Sequence, residues 1–291
     1  MQEQGQKKGR GIGFQLNAIT LIGIVVMVTI LVSFVGYRAY DELLRMGTVA
    51  QYNELGERSK AVISRYESVQ QSGEDVRQRI YTYMQQHPPA ARSREALNEM
   101  LADAAASNDN LAGIGVVFEP NAFDGQDAAH VADPLSDGTG RVIPFVGREG
   151  GVLEFEPTTG YDTDSWYTEP AKTSKPTLTP AYYDEVGGKK TLMASIGLPI
   201  LVDGRFVGAI TLDFDMDKVQ EMFEKLSTPD NIYLMLDSKG QVIAHGTNRD
   251  MVMKDAFQLM HLDAAEKQSI YSEGLYSKTQ VSPTTGKDSV Y

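Results

Sequence analysis

Residues 161–185 read YDTDSWYTEPAKTSKPTLTPAYYDE and hold the only tryptophan of the chain, Trp166, with four tyrosines, Tyr161, Tyr167, Tyr182 and Tyr183. Asp162, Asp164, Asp184 and Glu185 are threaded among these rings, against two lysines, Lys172 and Lys175. Aromatic faces attract cations through the ring quadrupole, and carboxylates attract them by charge. Rings and acids at this density raise the question of whether they face a ligand. An ordinary reading stands beside it: Trp-Tyr pairs usually lie in cores, Asp184 can open the turn DEVGGKK, and Asp162 and Asp164 can be solvated loop acids. The four histidines, His87, His130, His245 and His261, are scattered without the paired spacing of a metal site. GGKKT at 187–191 lacks the leading glycine of a phosphate loop and reads as a hairpin tip, and no Gly-x-Ser-x-Gly elbow is present. No catalytic residue, metal ligand or cofactor is assigned, and an enzyme is not expected.

The elements that must position these residues follow from the rest of the chain. Cysteine is absent, which excludes disulfides and thiolate chemistry. A net charge of −12 lacks the basic footprint of a nucleic-acid binder. Residues 16–37, LNAITLIGIVVMVTILVSFVGY, carry no charged side chain and match the roughly 20 residues a helix needs to cross a bilayer. Lys7, Lys8 and Arg10 precede that run, so the positive-inside bias puts the N-terminus in the cytoplasm. A signal peptide would have an apolar region of about 7–15 residues and a small-residue cleavage site, and FVGYRAYDE is a poor one. With Glu3, residues 1–37 carry a net +2, which leaves −14 of the total −12 on the remainder. The expected arrangement is a cytoplasmic N-terminus (1–15), a transmembrane helix (16–37) and an acidic domain in the periplasm, anchored in the inner membrane.

Leu55, Val62, Val69, Val76 and Tyr83 recur every seven residues, with Tyr52, Tyr66 and Ile80 on a neighbouring line. This spacing predicts one apolar stripe on a long polar helix, weakened at Gly73 and stopped by HPP at 87–89. The stripe packs on the domain behind it, and dimerisation along the same helix is possible in addition. A shorter helix is expected at 93–107, capped by Ser93. From residue 111 the texture becomes strands and turns: LAGIGVVFEP, GRVIPFV, GGVLEFE, and then the strongest hairpin, LMASIGLPILV-DG-RFVGAITLDFD, with Asp203-Gly204 suited to a type I′ turn. A helix, MDKVQEMFEKL, follows. NIYLMLD-SKG-QVIAHG then repeats the two-strand logic, as if a second module were starting.

This layout resembles the double Cache sensor family, the periplasmic ligand-binding domains of bacterial chemoreceptors. The resemblance is carried by FEPNAFDGQD at 118–127, Trp166-Tyr167, PAYYD at 180–184 and GLPILVDGRFVGAITLDFDMD at 197–217, and covers about residues 38–291. It implies an α+β fold: an N-terminal transmembrane helix, a long stalk helix, and two PAS-like antiparallel-sheet modules. The helical region would span 38–104, a membrane-distal ligand-binding module 105–225, and a membrane-proximal module 226–291 that is truncated, with a second span expected beyond residue 291. It further implies a homodimer that meets along the striped helix at 52–83 and senses a small molecule, with no nucleic acid partner.

In amino-acid sensors of that family an arginine two residues before the Trp-Tyr pair holds the ligand carboxylate. A tyrosine on the next strand and an aspartate on the hairpin's return strand complete the motif. Carried over, the resemblance assigns Trp166, Tyr167, Tyr182 with Asp184 close by, Asp213 for the ligand amine, and Tyr161 upstream. Where the arginine belongs, this chain has Asp164. A carboxylate cannot replace the two-point guanidinium fork, and two acids facing one cavity repel until a cation joins them. The resemblance with this replacement implies an amine sensor, quaternary amines included. Alternatives are an amino-acid sensor in which Lys172 or Lys175 supplies the carboxylate anchor, or the same sensor joined to a histidine kinase or a cyclic-dinucleotide enzyme. Asp213 is also open to a structural role, bonded to backbone amides.

Overall fold

The computed structural model describes residues 12–149, 151–186, 189–228, 232–237, 239–259, 262–273, 279–281 and 288–290. It divides into two units, Met1–Ala61 and Val62–Tyr291. Helix α1 (Ile12–Gln86) supplies the described part of the first unit and the opening of the second. Within it, Ile24–Leu43 is 20 residues long with a mean hydropathy of 1.5, sufficient by length and composition to cross a membrane. Ile24, Met27, Ile30, Leu31 and Phe34 are all exposed on it. Apolar side chains all round an uncovered helix are unfavourable in water and suit a hydrocarbon surrounding. The expected span at 16–37 lies in the same uninterrupted helix.

The second unit is built on one antiparallel sheet. After α2 (Arg94–Ser107) come β1 (Leu111–Phe118), β2 (Pro144–Glu149), β3 (Val152–Pro157), α3 (Ser165–Thr173), β4 (Thr177–Leu178), β5 (Tyr182–Val186), β6 (Lys189–Val202) and β7 (Arg205–Asp215). Their order across the sheet is β3-β2-β1-β7-β6-β4, with β5 also paired to β6. Alternation sorts the side chains by face. Ile114, Val116 and Phe118 of β1, Ile196, Leu198 and Ile200 of β6, and Ile210, Leu212 and Phe214 of β7 join one core with Val62, Val69, Val76 and Ile80 of α1 and Leu97 and Leu101 of α2. The stripe from Val62 through Val76, with Ile80 beside it, therefore packs on the sheet, as the sequence predicts, while the side chain of Leu55 lies outside those described. Those buried valines are not free to form a contact along the helix between two copies. Gly73, read from sequence as a weak point, has a packing role: a Cβ there would strike Leu212 and Leu198, so the glycine lets α1 lie close on the sheet.

Local signals hold where they were strong. Ser93 caps α2, its Oγ accepting from Ala96 N at 3.2 Å. Asp203 and Gly204 both have positive φ, 51° and 75°, as a type I′ turn requires, and the turn pairs Val202 with Arg205. Asp215 caps helix α4 (Met216–Leu226) by accepting from Lys218 N. The Asp-rich loop after β1 folds around Arg94, which bonds Asp124 at 2.7 Å, Asp127 at 3.3 Å, Ser136 Oγ and the Gly140 carbonyl. Asp124 and Asp127 are buried there, and Asp127 also takes the Asn121 amide. The motif FEPNAFDGQD is thus a structural clamp.

Beyond α4, β8 (Leu234–Leu236) and β9 (Val242–His245) form a two-stranded antiparallel ladder, followed by α5 (Ala256–Leu259), α6 (Ala264–Glu273), β10 (Thr279–Val281) and β11 (Asp288–Val290). Val242, Met251, Ala256, Phe257 and Leu262 make a small core of their own. Gln220 of α4 ties to β9 through both backbone groups of His245, at 2.8 Å each. Asn231, where the second module is expected to begin, and the hairpin tip at 187–188 lie outside the described residues.

Candidate ligand site at Asp213

The sheet face turned away from α1 carries a different set of residues. Two cross-strand rows define it: Gly147, Gly113, Asp213 and Ser195 on β2, β1, β7 and β6, and beside them Phe145, Gly115, Thr211 and Gly197. Tyr182 and Asp184 of β5 extend the same face, paired with Met193 and Thr191. Asp213 is the centre, only 6% exposed. Ser195 Oγ donates to its Oδ1 at 2.7 Å and Thr211 Oγ1 donates to the same oxygen at 3.2 Å. Tyr182 Oη lies 2.6 Å from Ser195 Oγ. Because the single proton of Ser195 goes to the carboxylate, the tyrosine is the donor of that bond.

Among the described residues no basic side chain pairs with Asp213. Burial pushes its pKa up to about 6; the hydroxyls of Ser195 and Thr211 pull it back, and the charge of Asp184 pushes it further up. Burial likewise holds the Tyr182 hydroxyl above its ordinary range, and the charges of Asp213, Asp184 and Asp164 add to that. Tyr182 thus feels the charges of Asp164, Asp184 and Asp213, and Asp213 feels that of Asp184. Asp164 sits at the rim, exposed, as the N-cap of α3. Its backbone carbonyl accepts from Thr168 N at 3.0 Å, while its carboxylate makes no cap bond and lies over Gly160.

Helix α3 brings Trp166 onto this face, and the sequence did not announce it because Pro170 stands inside the helix. Proline leaves the carbonyl four residues back without its helical partner. That carbonyl, on Trp166, presses on Gly197, where no Cβ would fit. Trp166 is buried with Val117, Ile143, Tyr167 and Ala209. Tyr167 turns its hydroxyl elsewhere: it donates to Glu119 and accepts from Arg141 Nη2 at 2.5 Å. Tyr161 Oη donates to Asp137 at 2.7 Å, and the Arg141 guanidinium stands 5.0 Å from the Tyr161 ring centre and 5.6 Å from that of Tyr167. These two tyrosines thus belong to a neighbouring cluster around Arg141 that braces α3. Lys172 is exposed and held by Glu169 at 2.9 Å, and Lys175 is exposed.

Comparison with known proteins agrees with this architecture. Residues 97–221 match the family model described as methyl-accepting chemotaxis protein-like, first PDC sensor domain. The fold is a Cache-like sensor fold. The methyl-accepting chemotaxis protein TlpQ of Pseudomonas aeruginosa is 29% identical over 212 residues, 62% of this chain but 29% of that protein, so the match spans under a third of the relative's length. Among solved structures, the extracellular domain of the histidine kinase candidate mmHK1S-Z3 superposes with a TM-score of 0.62 at 29% identity, covering 78% of this chain and 88% of that one. The periplasmic sensory domain of the Campylobacter jejuni chemoreceptor Tlp1 has a TM-score of 0.68 at 12% identity, covering 80% of this chain and 84% of that one; it shares the fold alone.

Ser195, Thr211 and Phe145 were missed in the sequence. Thr211 and Asp213 share a face by simple alternation, and Ser195 is the one hydroxyl in the apolar run 192–202 of β6, so a search for polar residues inside apolar runs would have found them.

Proposed function

We propose that this chain is the sensory part of a transmembrane chemoreceptor, anchored in the inner membrane by α1 with its sheet module in the periplasm, and that it binds a small cationic amine at Asp213. The observation that carries the ligand class is a buried carboxylate that, among the described residues, is bonded only by the hydroxyls of Ser195 and Thr211, with the charge of Asp184 nearby. A buried anion without a partner is costly, and a cation entering the site removes that cost. Tyr182 and Trp166 line the approach, and a ring facing an ammonium adds about 0.5–2 kcal/mol depending on desolvation. Asp184 and Asp164 add attraction at longer range, while Tyr161 and Tyr167 set the position of α3. The ligand-binding module is 105–225, and 226–291 opens a second one. Any homodimer meets on a face of α1 other than the Val62–Val69–Val76 stripe. Binding biases two packing states of the sensor, which is how such a domain signals.

Asp213→Asn is expected to weaken binding of choline and ethanolamine by tenfold or more, because loss of a buried charged partner costs roughly 2 kcal/mol or above. The exposed Asp164→Asn should cost less. Titration calorimetry on the full chain in lipid nanodiscs measures both, and unchanged affinity in Asp213→Asn would sink the site. A second reading, the same sensor on a histidine kinase, is favoured by the 29% identity to the extracellular domain of mmHK1S-Z3. The two share the amine site and differ only in the output domain.

A further inference from the structure

Phe145 lies in a seat made by three glycines. A Cβ on Gly113 or Gly115 would run into its ring, and one on Gly147 would stand 3.2 Å from it. This seat adjoins Asp213, because Gly113 is the direct cross-strand partner of Asp213. At its far side stands Thr158, whose Oγ1 would be 3.2 Å from a Cβ on Gly115. Thr158 is 8% exposed and its backbone amide is bonded to the Ile143 carbonyl at 2.7 Å, yet its buried hydroxyl has no hydrogen-bond partner among the described residues. Buried hydroxyls are nearly always satisfied, so an orphan aimed at a glycine-floored seat calls for an explanation. Glycines at two successive face positions of one strand also cost the sheet packing and backbone entropy, which a close approach of another group justifies.

We propose that the ligand site extends from Asp213 across Gly113 and Gly115 to the Thr158 hydroxyl, and that its ligand is an extended amine carrying a second hydrogen-bonding group. The Phe145 ring swings out of the glycine seat to admit the body of that ligand. This rests on the amine reading of Asp213 and adds a length to it. Gly115 is the diagonal neighbour of Asp213, about 7–8 Å away across an antiparallel pair. The second polar group therefore stands about 7 Å from the ammonium, roughly the span of a four-carbon chain with a heteroatom at each end. The hydroxyl of Thr158 can accept from an ammonium or hydroxyl there and can donate to a carbonyl.

The matched probes are aminobutanol and pentylamine, equal in length and differing in the terminal hydroxyl. In calorimetry on the full chain, wild type should prefer aminobutanol. Thr158→Val, which keeps the shape and removes the hydroxyl, should weaken aminobutanol about five- to tenfold and leave pentylamine within about twofold. Thr158→Ser should restore the preference. Equal effects on the two amines, or none, overturn the extension. Thermal unfolding without amine gives a readout that needs no ligand: removing an orphan hydroxyl leaves Tm unchanged or higher, and a clear fall would show that the hydroxyl is structurally engaged and overturn the proposal. If Asp213→Asn abolishes binding of both amines while Thr158→Val fails to discriminate, only the extension falls. If Asp213→Asn changes neither, or wild type binds neither amine, the amine reading falls and the extension with it.

Discussion

On the proposed reading Asp213 ties ligand affinity to pH, and the sign follows from which form each state prefers. Burial holds its pKa at about 6 against an ordinary 3.8, with Ser195, Thr211, Tyr182 and Asp184 around it. A cationic ligand needs the carboxylate, so affinity for a permanently charged amine such as choline should fall as pH drops from 7 through 6, approaching about tenfold per pH unit below the pKa. The contribution of Asp213 to stability without amine runs the other way. The raised pKa contributes stability that is fully present below 3.8 and is lost as pH rises through about 6. Asp137 has the opposite sign: burial raises its pKa, but bonds from Thr139 and Tyr161 outweigh that and bring it to about 2, so its contribution is lost only as pH falls toward that value. Between pH 7 and 5, then, choline affinity falls and the Asp213 contribution to Tm without amine rises, opposed by His245, whose burial lowers its pKa; Asp213→Asn flattens the affinity trend and makes Tm fall more steeply across that range. A flat affinity profile in wild type would show that Asp213 does not hold the cation.

At the scale of elements, the site depends on two departures from regular structure. The first is a bulge in the β6–β7 hairpin. The turn pairs Val202 with Arg205, but the register shifts between Ile200 and Leu201, so that Ile200 meets Gly208 and Ser195 meets Asp213. Without that extra residue Ser195 would stand opposite Leu212, and a one-residue slip exchanges the faces of a strand. The second is the close approach of α3 to β6 at Gly197. Gly197→Ala should push α3 away, lower stability by about 2–3 kcal/mol and Tm by roughly 5–10 °C, and weaken amine binding, since overpacked cores lose about 1–3 kcal/mol and rarely relax fully. Thermal unfolding followed by circular dichroism checks it; an unchanged Tm would mean that α3 is not held against β6. These two departures also explain what could be read in advance. The hairpin, α2, α4 and the α1 stripe were legible because Asp203-Gly204, Ser93 and the seven-residue repeat are strong local signals. Tyr182, Asp184 and Asp213 were placed through the resemblance, and the sheet does gather them on one face. The partnership of Ser195 with Asp213 depends on a bulge that no local signal marks, and Pro170 concealed α3. Tyr161 and Tyr167 were assigned to the site through the resemblance, whereas Arg141, 26 residues before Tyr167, draws both into a separate cluster.

For the whole molecule, the net charge of −12 creates a field that favours small cations over anions as visitors. That field is screened within about 8–10 Å at moderate ionic strength, so it speeds encounter more than it sets affinity. On the proposed reading, selectivity comes from Asp213 and its neighbours. The measurement that tests the amine site most directly is titration calorimetry of the full chain in nanodiscs, with choline, ethanolamine and aminobutanol set against common L-amino acids and dicarboxylates. A cation site built on Asp213 predicts binding of amines that lack a carboxylate and none of dicarboxylates. Binding confined to ligands that carry a carboxylate would contradict it and require a basic anchor in place of Asp164.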